Sequence, residues 1–371
     1  MKLFIVVNVD WFFLSHRLPV AMAAQKAGWD VTVVTADTGR LQEIEAAGLK
    51  AINLPMTRSG MNVFQDLKAF RFLYKLYKKE KPDIVHHVAV KSILWGGLAA
   101  KFAHVNGVVN AISGLGGFFA KEGLSYISKI VLKVLKFSHH RENLFVIFQN
   151  SEDKQLYLDN HIISEDQVKI IRGSGVDLND FAYTQEPENG SIIILLTCRM
   201  IREKGVFVLT DAAEFLRKEY EDKVEFGIVG GLDDHPGAIT KDEIESVCDG
   251  YYIKWLGRRE DIKDLLKKCH IFAFPSYYNE GVPKSLIEAA AIGRPIVTTN
   301  NIGCKEVVTD GLNGFLVSVK DAVALADKLK LLIDDKVLRI KMGKASRTIA
   351  EQNFSLSDVI DMHLGIYEEL V

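Results

Sequence analysis

The fold of this chain is most constrained by an alternation of short apolar segments with amphipathic helical segments along its whole length. The apolar segments are rich in β-branched residues and phenylalanine, which favours strands. They lie at residues 3–9, 31–35, 51–54, 84–85, 108–112, 145–148, 192–197, 224–229, 253–256, 271–274 and 296–298. Continuous apolar strands separated by helices are typical of parallel sheets with helices on both faces, so the pattern predicts an α/β fold.

The alternation is interrupted once, near the middle of the chain. Residues 172–177 are glycine-rich, and the polar segment 181–190 that follows predicts a linker. A length of 371 residues suits two domains. We therefore predict two doubly wound, Rossmann-like domains, at residues 1–171 and 172–354, with ligands bound at the carboxyl ends of the strands, in a cleft between the domains.

Composition and charge exclude several classes of protein. The formal net charge of −2 gives no basic excess for nucleic acid, and the four cysteines have no zinc-site spacing, which favours a reducing cytoplasmic compartment. The apolar run at residues 3–9 is too short for a signal peptide, and no run approaches the roughly 18 apolar residues of a membrane span. No Gly-x-Gly-x-x-Gly motif follows the first strand, which argues against a nicotinamide dehydrogenase.

An anion site is predicted where the strand at 271–274 leads into a helix. Gly281 permits a tight backbone turn, and Pro283 suits the start of a helix that ends near Gly293. Backbone N–H groups at a helix N-terminus bind anions, so we expect the ligand to contact the loop and first turn. These residues are Gly281, Val282, Pro283 and Lys284.

Two carboxylates flank this anion site, Glu280 in the loop and Glu288 in the helix. A carboxylate can accept two hydrogen bonds from a pair of neighbouring hydroxyl groups. A nucleotide diphosphate sugar has a diphosphate between two hydroxyl-rich rings, so one glutamate could hold the ribose and the other the sugar. The pattern therefore favours a nucleotide-sugar site over a pair of solvated surface residues.

Cations are predicted at the same edge of the second sheet. Arg199 directly follows the strand at 192–197, and Lys204 begins the next helix. An arginine offers a planar fork to phosphate and a lysine offers a point charge. Arg258, after the strand at 253–256, could border the nucleotide base.

Together, Arg199, Lys204 and the Glu280-x7-Glu288 pair resemble the retaining family-four glycosyltransferases of the GT-B fold. The resemblance extends to segments 173–177, 300–308 and 310–314 and covers nearly the whole chain. In that family the Arg and Lys hold the diphosphate, the first Glu faces the donor sugar and the second binds the ribose. These roles are implied here for Arg199, Lys204, Glu280 and Glu288.

The same resemblance has wider implications. It implies that the helix at 355–371 packs back on the first domain, which would bind the acceptor, while the second binds the nucleotide sugar. It also implies a UDP-sugar as donor, retention of anomeric configuration, no further cofactor and no metal. No Asp-x-Asp metal motif occurs in the sequence.

The first half of the chain carries the expected acceptor residues. Segment 8–19 lacks the glycine-rich loop of many family members and resembles a bacterial subgroup that builds glycans on polyprenyl-diphosphate lipids. Here Arg17 could meet a phosphate of donor or acceptor, and His16 could be a base, a hydrogen-bond donor or a structural residue. Further acceptor contacts are predicted at Lys91, Gly114, Gly116 and Gly117.

Two basic amphipathic helices suggest an anionic membrane surface as a partner. Lys129, Lys133 and Lys136 form a ladder at i, i+4 and i+7 on one helix. A second helix, at 67–79, interleaves basic residues with aromatic ones. An ordinary solvated helix would have the same periodicity, but the lipid-linked acceptor favours membrane contact.

These observations predict an enzyme that transfers a hexosyl or N-acetylhexosaminyl unit from a nucleotide sugar, with UDP favoured, to a lipid-linked glycan. We expect it in the cytoplasm, peripheral on the inner face of the membrane. One alternative is a sugar-nucleotide epimerase of the same fold, which would need neither a lipid acceptor nor basic membrane helices. Another is a non-catalytic sugar-nucleotide sensor, which would tolerate loss of Glu280 and Arg199.

Overall fold

The structure, a computed structural model, describes residues 1–56, 63–115, 126–188 and 190–371. It divides into two compact units, one made of residues 1–174 and 357–371 and the other of residues 175–356. Each unit is a parallel sheet covered by helices.

The sheet of the first unit has seven strands in the order β3-β2-β1-β4-β5-β6-β7. The strands are β1 Lys2–Val7, β2 Asp30–Thr35, β3 Lys50–Asn53, β4 Ile84–Val88, β5 Gly107–Ala111, β6 Leu144–Phe148 and β7 Val168–Ile170. Alternate residues of β1 enter different cores, because Phe4 and Val6 pack on one face of the sheet and Ile5 on the other. This burial on both faces explains why the strand is apolar throughout.

The second sheet has six strands in the order β10-β9-β8-β11-β12-β13. The strands are β8 Ile192–Thr197, β9 Val224–Val229, β10 Ile253–Trp255, β11 Ile271–Phe274, β12 Ile296–Thr299 and β13 Gly314–Val317. Both sheets are doubly wound, and the strand order reverses between β1 and β4 in one and between β8 and β11 in the other. The predicted α/β class is confirmed; the short strands β7 and β13 were not predicted.

Helices connect the strands in both units. In the first they are α1 Asp10–His16, α2 Leu18–Lys26, α3 Leu41–Ala46, α4 Val63–Glu80, α5 Val90–Ala103, α6 Tyr126–His139, α7 Ser151–Asp159 and α14 Leu356–Glu369. In the second they are α8 Val206–Tyr220, α9 Lys241–Ser246, α10 Ile262–Lys268, α11 Lys284–Ile292, α12 Ala322–Asp334 and α13 Lys336–Asn353. Helix α14 packs in the first unit, where Tyr367 and Ile366 join the same core as Ile5.

A buried polar chain runs across the first unit from α4 to α6. Tyr77 Oη lies 3.0 Å from His87 Nε2, His87 Nδ1 lies 2.9 Å from Asn110 Oδ1, and Asn110 Nδ2 lies 3.0 Å from His139 Nε2. His139 Nδ1 is 2.8 Å from the carbonyl of Leu135 and must donate to it. That last bond fixes the direction of all the others: Asn110 donates to His139, His87 donates to Asn110, and Tyr77 donates to His87.

The predicted linker is fixed to the second unit, because three arginines of that unit form hydrogen bonds or an ion pair with it. Arg347 donates to the carbonyls of Leu178 and Phe181, and Arg294 donates to that of Gln185. Arg339 forms a two-point ion pair with Glu186, at 2.8 and 3.1 Å, and both side chains are buried. We call residues 178–187 the strap.

Candidate functional site

Glycines bring several loops of the second unit into backbone contact at the carboxyl edge of its sheet. A Cβ on Gly205 would lie 2.1 Å from the carbonyl oxygen of Pro275, which joins the loops after β8 and β11. A Cβ on Gly230 would lie 2.1 Å from the carbonyl of Cys198, and one on Gly303 would lie 2.0 Å from that of Gly281. Only glycine permits these contacts, which gather the loops around the point where the strand order reverses.

Lys204 and Glu280 form an ion pair at this point. Lys204 ends a short 3-10 turn after β8, and Glu280 lies in the loop between β11 and α11. The Lys204 side chain is buried, with Nζ 5.2 Å from the ring centre of Phe274 and 5.3 Å from that of Tyr278. The ammonium is therefore held by one carboxylate and two aromatic rings.

Arg199 is the second cation at this edge. Its Nη1 lies 3.4 Å from Asp233 Oδ2, an oxygen of the loop after β9, and about a third of its side chain is exposed. The carboxylate fixes the guanidinium close to the end of β8. Arg199 was predicted from the sequence and Asp233 was not, although Asp233 lies in a polar segment directly after a strand, which is a signal that could have identified it.

Helix α11 begins beside this pair of cations. Pro283 is its N-cap residue and accepts the backbone N–H groups of Leu286 and Ile287, while Gly281 and Val282 are buried in the preceding turn. Lys284 Nζ lies 3.7 Å from Glu288 Oε1 on the next turn. Burial raises the pKa of Glu288, although the charge of Lys284 opposes this shift. Helix α11 therefore brings its N-terminus and the mostly buried Glu288 carboxylate to the same region as Lys204 and Glu280.

Arg258 lies after β10 and is exposed. A Cβ on Gly231 would be 3.2 Å from the Cβ of Arg258, so the loops after β9 and β10 are adjacent. Trp255 strengthens this contact, because its indole N–H donates to the carbonyl of Gly230 at 2.9 Å. The structure therefore places Arg258 at the same edge as Arg199.

The first unit requires a correction at residues 10–17, which were predicted as a loop. Residues Asp10–His16 form helix α1, in which His16 stacks flat on Phe12, with ring centres 4.2 Å apart, and bonds Ser15 at 2.5 Å. Arg17 is only 2% exposed rather than open to a phosphate. It connects α1 to α2, and burial lowers its pKa to about 10 beside Tyr367.

The structure describes only two of the other four predicted acceptor residues, Lys91 and Gly114. Lys91, in the first turn of α5, has Nζ 3.0 Å from Asp66 Oδ1 of α4, and both side chains are largely buried. Gly114 has a φ of +102°, a conformation that favours glycine. Gly116 and Gly117 lie outside the described residues.

The predicted membrane lysines lie on one exposed surface. Lys129, Lys133 and Lys136 are all exposed on α6, alongside Ile130 and Phe137. Phe102 of α5 is 48% exposed and contacts Phe137, 49% exposed, with ring centres 6.0 Å apart. Phe102 was not predicted to be part of this surface, because an isolated apolar residue at a helix end gives no periodic signal.

The basic residues of α4 are exposed as well; they are Lys68, Arg71, Lys75, Lys78 and Lys79. Phe70 of α4 contacts Phe102, which connects the helices. We call the exposed residues of α4, α5 and α6 the basic–aromatic face. Among the described helices, none is long and apolar enough to cross a membrane. No group of three or more potential ligand side chains in the described part of the chain is placed to hold a metal ion.

Solved structures define the class of protein by its fold. A sucrose-phosphate synthase from Thermosynechococcus elongatus superposes with a TM-score of 0.81 at 20% identity, covering 100% of this chain and 99% of that one. A glycosyltransferase from Rickettsia africae gives a TM-score of 0.79 at 23% identity, covering 100% and 98%. The Anabaena protein HepE in complex with UDP gives 0.79 at 18%, covering 100% of both chains. The fold is therefore that of the GT-B glycosyltransferases.

Sequence comparison then identifies the family. The family described as "Glycosyl transferases group 1" matches residues 191–335, and "Glycosyl transferase 4-like" matches residues 2–150. The chain is 29% identical to the N,N'-diacetylbacillosaminyl-diphospho-undecaprenol alpha-1,3-N-acetylgalactosaminyltransferase of Campylobacter jejuni, over 97% of this chain and 98% of that one. It is 28% identical to the UDP-Gal:alpha-D-GlcNAc-diphosphoundecaprenol alpha-1,3-galactosyltransferase of Escherichia coli, over 92% and 90%. The two matches together span residues 2–150 and 191–335, and the chain belongs to the family-four glycosyltransferases.

Proposed function

We propose that this enzyme transfers a hexosyl or N-acetylhexosaminyl unit from a UDP-sugar to a hydroxyl group of a glycan carried on a polyprenyl diphosphate, with retention of configuration. The C. jejuni and E. coli relatives are named for undecaprenyl-diphosphate-linked acceptors, and the E. coli relative for a UDP-sugar donor. The product would be a bacterial surface polysaccharide or oligosaccharide.

The observation that carries the proposal is the convergence of Arg199, Lys204 and Glu280 where the second sheet reverses its strand order. Open parallel sheets bind ligands at this point, beyond the carboxyl ends of the strands. The N-terminus of α11 lies at the same place, and its helix dipole favours an anion. Two cations and a helix N-terminus suit a diphosphate better than any neutral ligand.

In this proposal, Arg199 and Lys204 neutralise the charge that develops on the diphosphate as the bond to the sugar breaks. Removing one such prepositioned group typically lowers kcat by on the order of 10²–10³-fold. Glu280 faces the donor sugar, and Glu288 accepts hydrogen bonds from the ribose. Both cations already have carboxylate partners, which hold them in place before the donor binds.

The remaining donor contacts come from neighbouring loops. Gly281, Val282, Pro283 and Lys284 form the turn that receives the diphosphate, and Arg258 borders the base. No step requires a metal ion, because the cations and the helix N-terminus supply the positive charge.

For the acceptor, the proposal relies on the first unit. His16 hydrogen-bonds or deprotonates the attacking hydroxyl, and Lys91 meets the acceptor diphosphate together with the loop of Gly114, Gly116 and Gly117. Arg17 supports this region from inside the unit, because its side chain is buried. The basic–aromatic face then binds the anionic inner surface of the cytoplasmic membrane, where a polyprenyl-linked acceptor resides.

Thermal stabilisation by UDP, GDP and ADP tests the donor site. A nucleotide at about 100 times its Kd should stabilise the enzyme by about 2.7 kcal/mol. We expect UDP alone to stabilise the wild type and Glu288→Ala to lose the effect, while Glu245→Ala, an exposed carboxylate of α9, retains it. Stabilisation by none of the three nucleotides would overturn the proposal.

Product analysis tests the reaction itself. With a UDP-sugar and a polyprenyl-diphosphate-linked glycan, we expect UDP release that depends on the acceptor and an α-linked product. Conversion of the UDP-sugar without any acceptor would instead identify an epimerase.

A further inference from the structure

The loop after β9, residues 230–239, is fastened along the loop after β8. Single β-bridges join Met200 to Leu232 and Ile201 to Ala238, and the backbone N–H of Arg202 donates to the carbonyl of Gly237 at 2.9 Å. Loops tied at both ends by backbone bonds hold their side chains in fixed positions. His235 lies near the middle of this loop.

Asp233 connects the loop to Arg199. One of its oxygens, Oδ2, lies 3.4 Å from Arg199 Nη1, and the other, Oδ1, accepts the backbone N–H of His235 at 2.9 Å. A single carboxylate therefore positions both the guanidinium and the histidine backbone.

The hydrogen bonds of His235 determine which ring nitrogen carries the hydrogen. Its Nδ1 lies 3.1 Å from the backbone nitrogen of Gly237, which can only donate. Nδ1 must therefore accept, and the neutral ring carries its hydrogen on Nε2. Within the described residues, Nε2 has no hydrogen-bond partner.

The ring of His235 also lies next to the second cation. It packs edge-to-face against Tyr278, with ring centres 6.2 Å apart at 83°, and the same Tyr278 ring has Lys204 Nζ 5.3 Å from its centre. Asp233 therefore contacts both His235 and Arg199, and Tyr278 contacts both His235 and Lys204.

We propose that His235 donates a hydrogen bond from Nε2 to the diphosphate of the nucleotide donor, at the phosphate that UDP has and UMP lacks. The inference rests on the proposed donor site and adds to it a residue with no assigned role. An N–H group that is linked to both cations through Asp233 and Tyr278 can add one more hydrogen bond to an anion that the two cations already hold. Gly237 and Asp233 are positioning residues in this arrangement, since they set the tautomer and the place of the ring.

Replacements of His235 can separate its two nitrogens. In His235→Gln the amide nitrogen stands near Nε2 and can still donate to the ligand. In His235→Asn the side-chain oxygen stands near Nδ1 and can still accept from Gly237, but no donor reaches the place of Nε2. The pair therefore distinguishes a ligand contact from support of the loop.

Calorimetric titration of the full-length protein with UDP and with UMP provides the measurement. We expect His235→Asn and His235→Ala to bind UDP about tenfold more weakly, and His235→Gln to remain within about threefold of the wild type. UMP lacks the terminal phosphate of UDP, so its affinity should change little in any variant.

His270→Gln is the matched control. His270 has the same tautomer, with Nδ1 accepting from Ile193 at 3.1 Å, but its Nε2 already bonds the carbonyl of Pro187 at 3.2 Å. This variant should lose stability and keep its affinity for UDP. Unchanged UDP affinity in His235→Asn and His235→Ala, or equal losses for UDP and UMP, would overturn the inference. If the wild type binds no nucleotide, the proposed donor site is overturned, and the proposed role of His235 is overturned together with it.

Discussion

Lys204 and Glu280 stand 76 residues apart in the sequence, yet their side chains form an ion pair at the edge of the second sheet. Lys204 is almost fully buried, and Glu280 is mostly buried. Charges withdrawn from water in this way depend on each other, because either one alone would lack its counter-charge. Glu280 therefore holds Lys204 in place in the free enzyme, at the position where the proposed donor site would receive the diphosphate.

We predict that Glu280→Gln destabilises the free enzyme by about 1–3 kcal/mol, because it leaves a buried ammonium without its carboxylate. The double variant Glu280→Gln/Lys204→Met should regain most of that loss and still be inactive. Urea unfolding curves of Glu280→Gln, Lys204→Met and the double variant, with and without UDP, measure the effect. A double variant as unstable as the sum of the two single ones would contradict the coupling.

Gly96→Ala should destabilise the first unit. A Cβ on Gly96 would lie 2.3 Å from the ring of His87, which is held from both sides by Tyr77 and Asn110. Overpacking of this kind costs about 1–3 kcal/mol. Its neighbour is a matched control, because a Cβ on Gly97 would meet Ser138 at an ordinary 3.6 Å. Gly97→Ala should stabilise the protein by up to about 1 kcal/mol through helix propensity, and unfolding midpoints of the two variants should move in opposite directions.

Features that depend on a short stretch of sequence could be predicted, whereas contacts between distant parts of the chain could not. Strands β8, β9 and β11 were predicted to the residue, because each is an apolar run with clear ends. The residue types of Arg199, Lys204 and Glu280 were recognisable because each follows a strand. The pairing of these residues could not be predicted, because the sequence does not show which loops lie close together in the folded protein.

The failures have related physical causes. Residues 10–16 were predicted as a loop because they directly follow β1, but their aromatic residues at Trp11, Phe12 and Phe13 form the first turns of α1. Asp233 and His235 resembled an ordinary polar turn until the β-bridges with residues 200 and 201 fixed their place. The strap was predicted as a linker because its sequence is polar, whereas its order comes from arginines more than 100 residues away.

Stability should fall in mild acid because of the buried polar chain. Burial lowers the pKa of His87 and of His139 to about 4, against about 6.5 in the unfolded chain. Between these values the unfolded state binds more protons, so the stabilisation is complete above pH 6.5 and is lost as the pH falls toward 4. Burial raises the pKa of Asp153 to about 6, which opposes part of this loss.

The variant His139→Gln isolates one of the two histidines. It removes one titrating group, so the slope of unfolding free energy against pH should decrease by up to about 1.4 kcal/mol per pH unit. Urea unfolding at several values between pH 7.5 and pH 4.5 gives both slopes. Identical slopes for the variant and the wild type would contradict the assignment.

The strap should be sensitive to loss of Arg339. Arg339→Ala leaves Glu186 buried without a cation, which typically costs about 3–5 kcal/mol. An apolar double variant, Arg339→Met/Glu186→Leu, should be much less affected. Arg259→Ala is the control, since Arg259 pairs with Asp261 on the surface, where water screens both charges and the pair should contribute little to stability. Differential scanning calorimetry can rank the three variants, and an equal loss for both arginines would contradict the role of the buried pair.

The basic–aromatic face should bind anionic vesicles through charge and through aromatic side chains together. Replacing Lys129, Lys133 and Lys136 by Gln should weaken binding about a hundredfold, since each lysine contributes about 1 kcal/mol near an anionic surface. Phe102→Ser and Phe137→Ser should weaken binding to the same vesicles at high salt, where the charge contribution is screened. Cosedimentation with phosphatidylglycerol vesicles measures both effects.

Phe215→Ser provides the control for this surface. Phe215 is 63% exposed on α8 of the second unit, so it matches Phe102 in residue type and is somewhat more open to solvent. We expect it to leave vesicle binding unchanged. A loss of binding as large as that of Phe102→Ser would mean that general surface hydrophobicity, and not the basic–aromatic face, governs attachment. Retained binding in the triple lysine variant at low salt would argue against the charge contribution, because the three exposed lysines form the ladder that gives α6 its basic side.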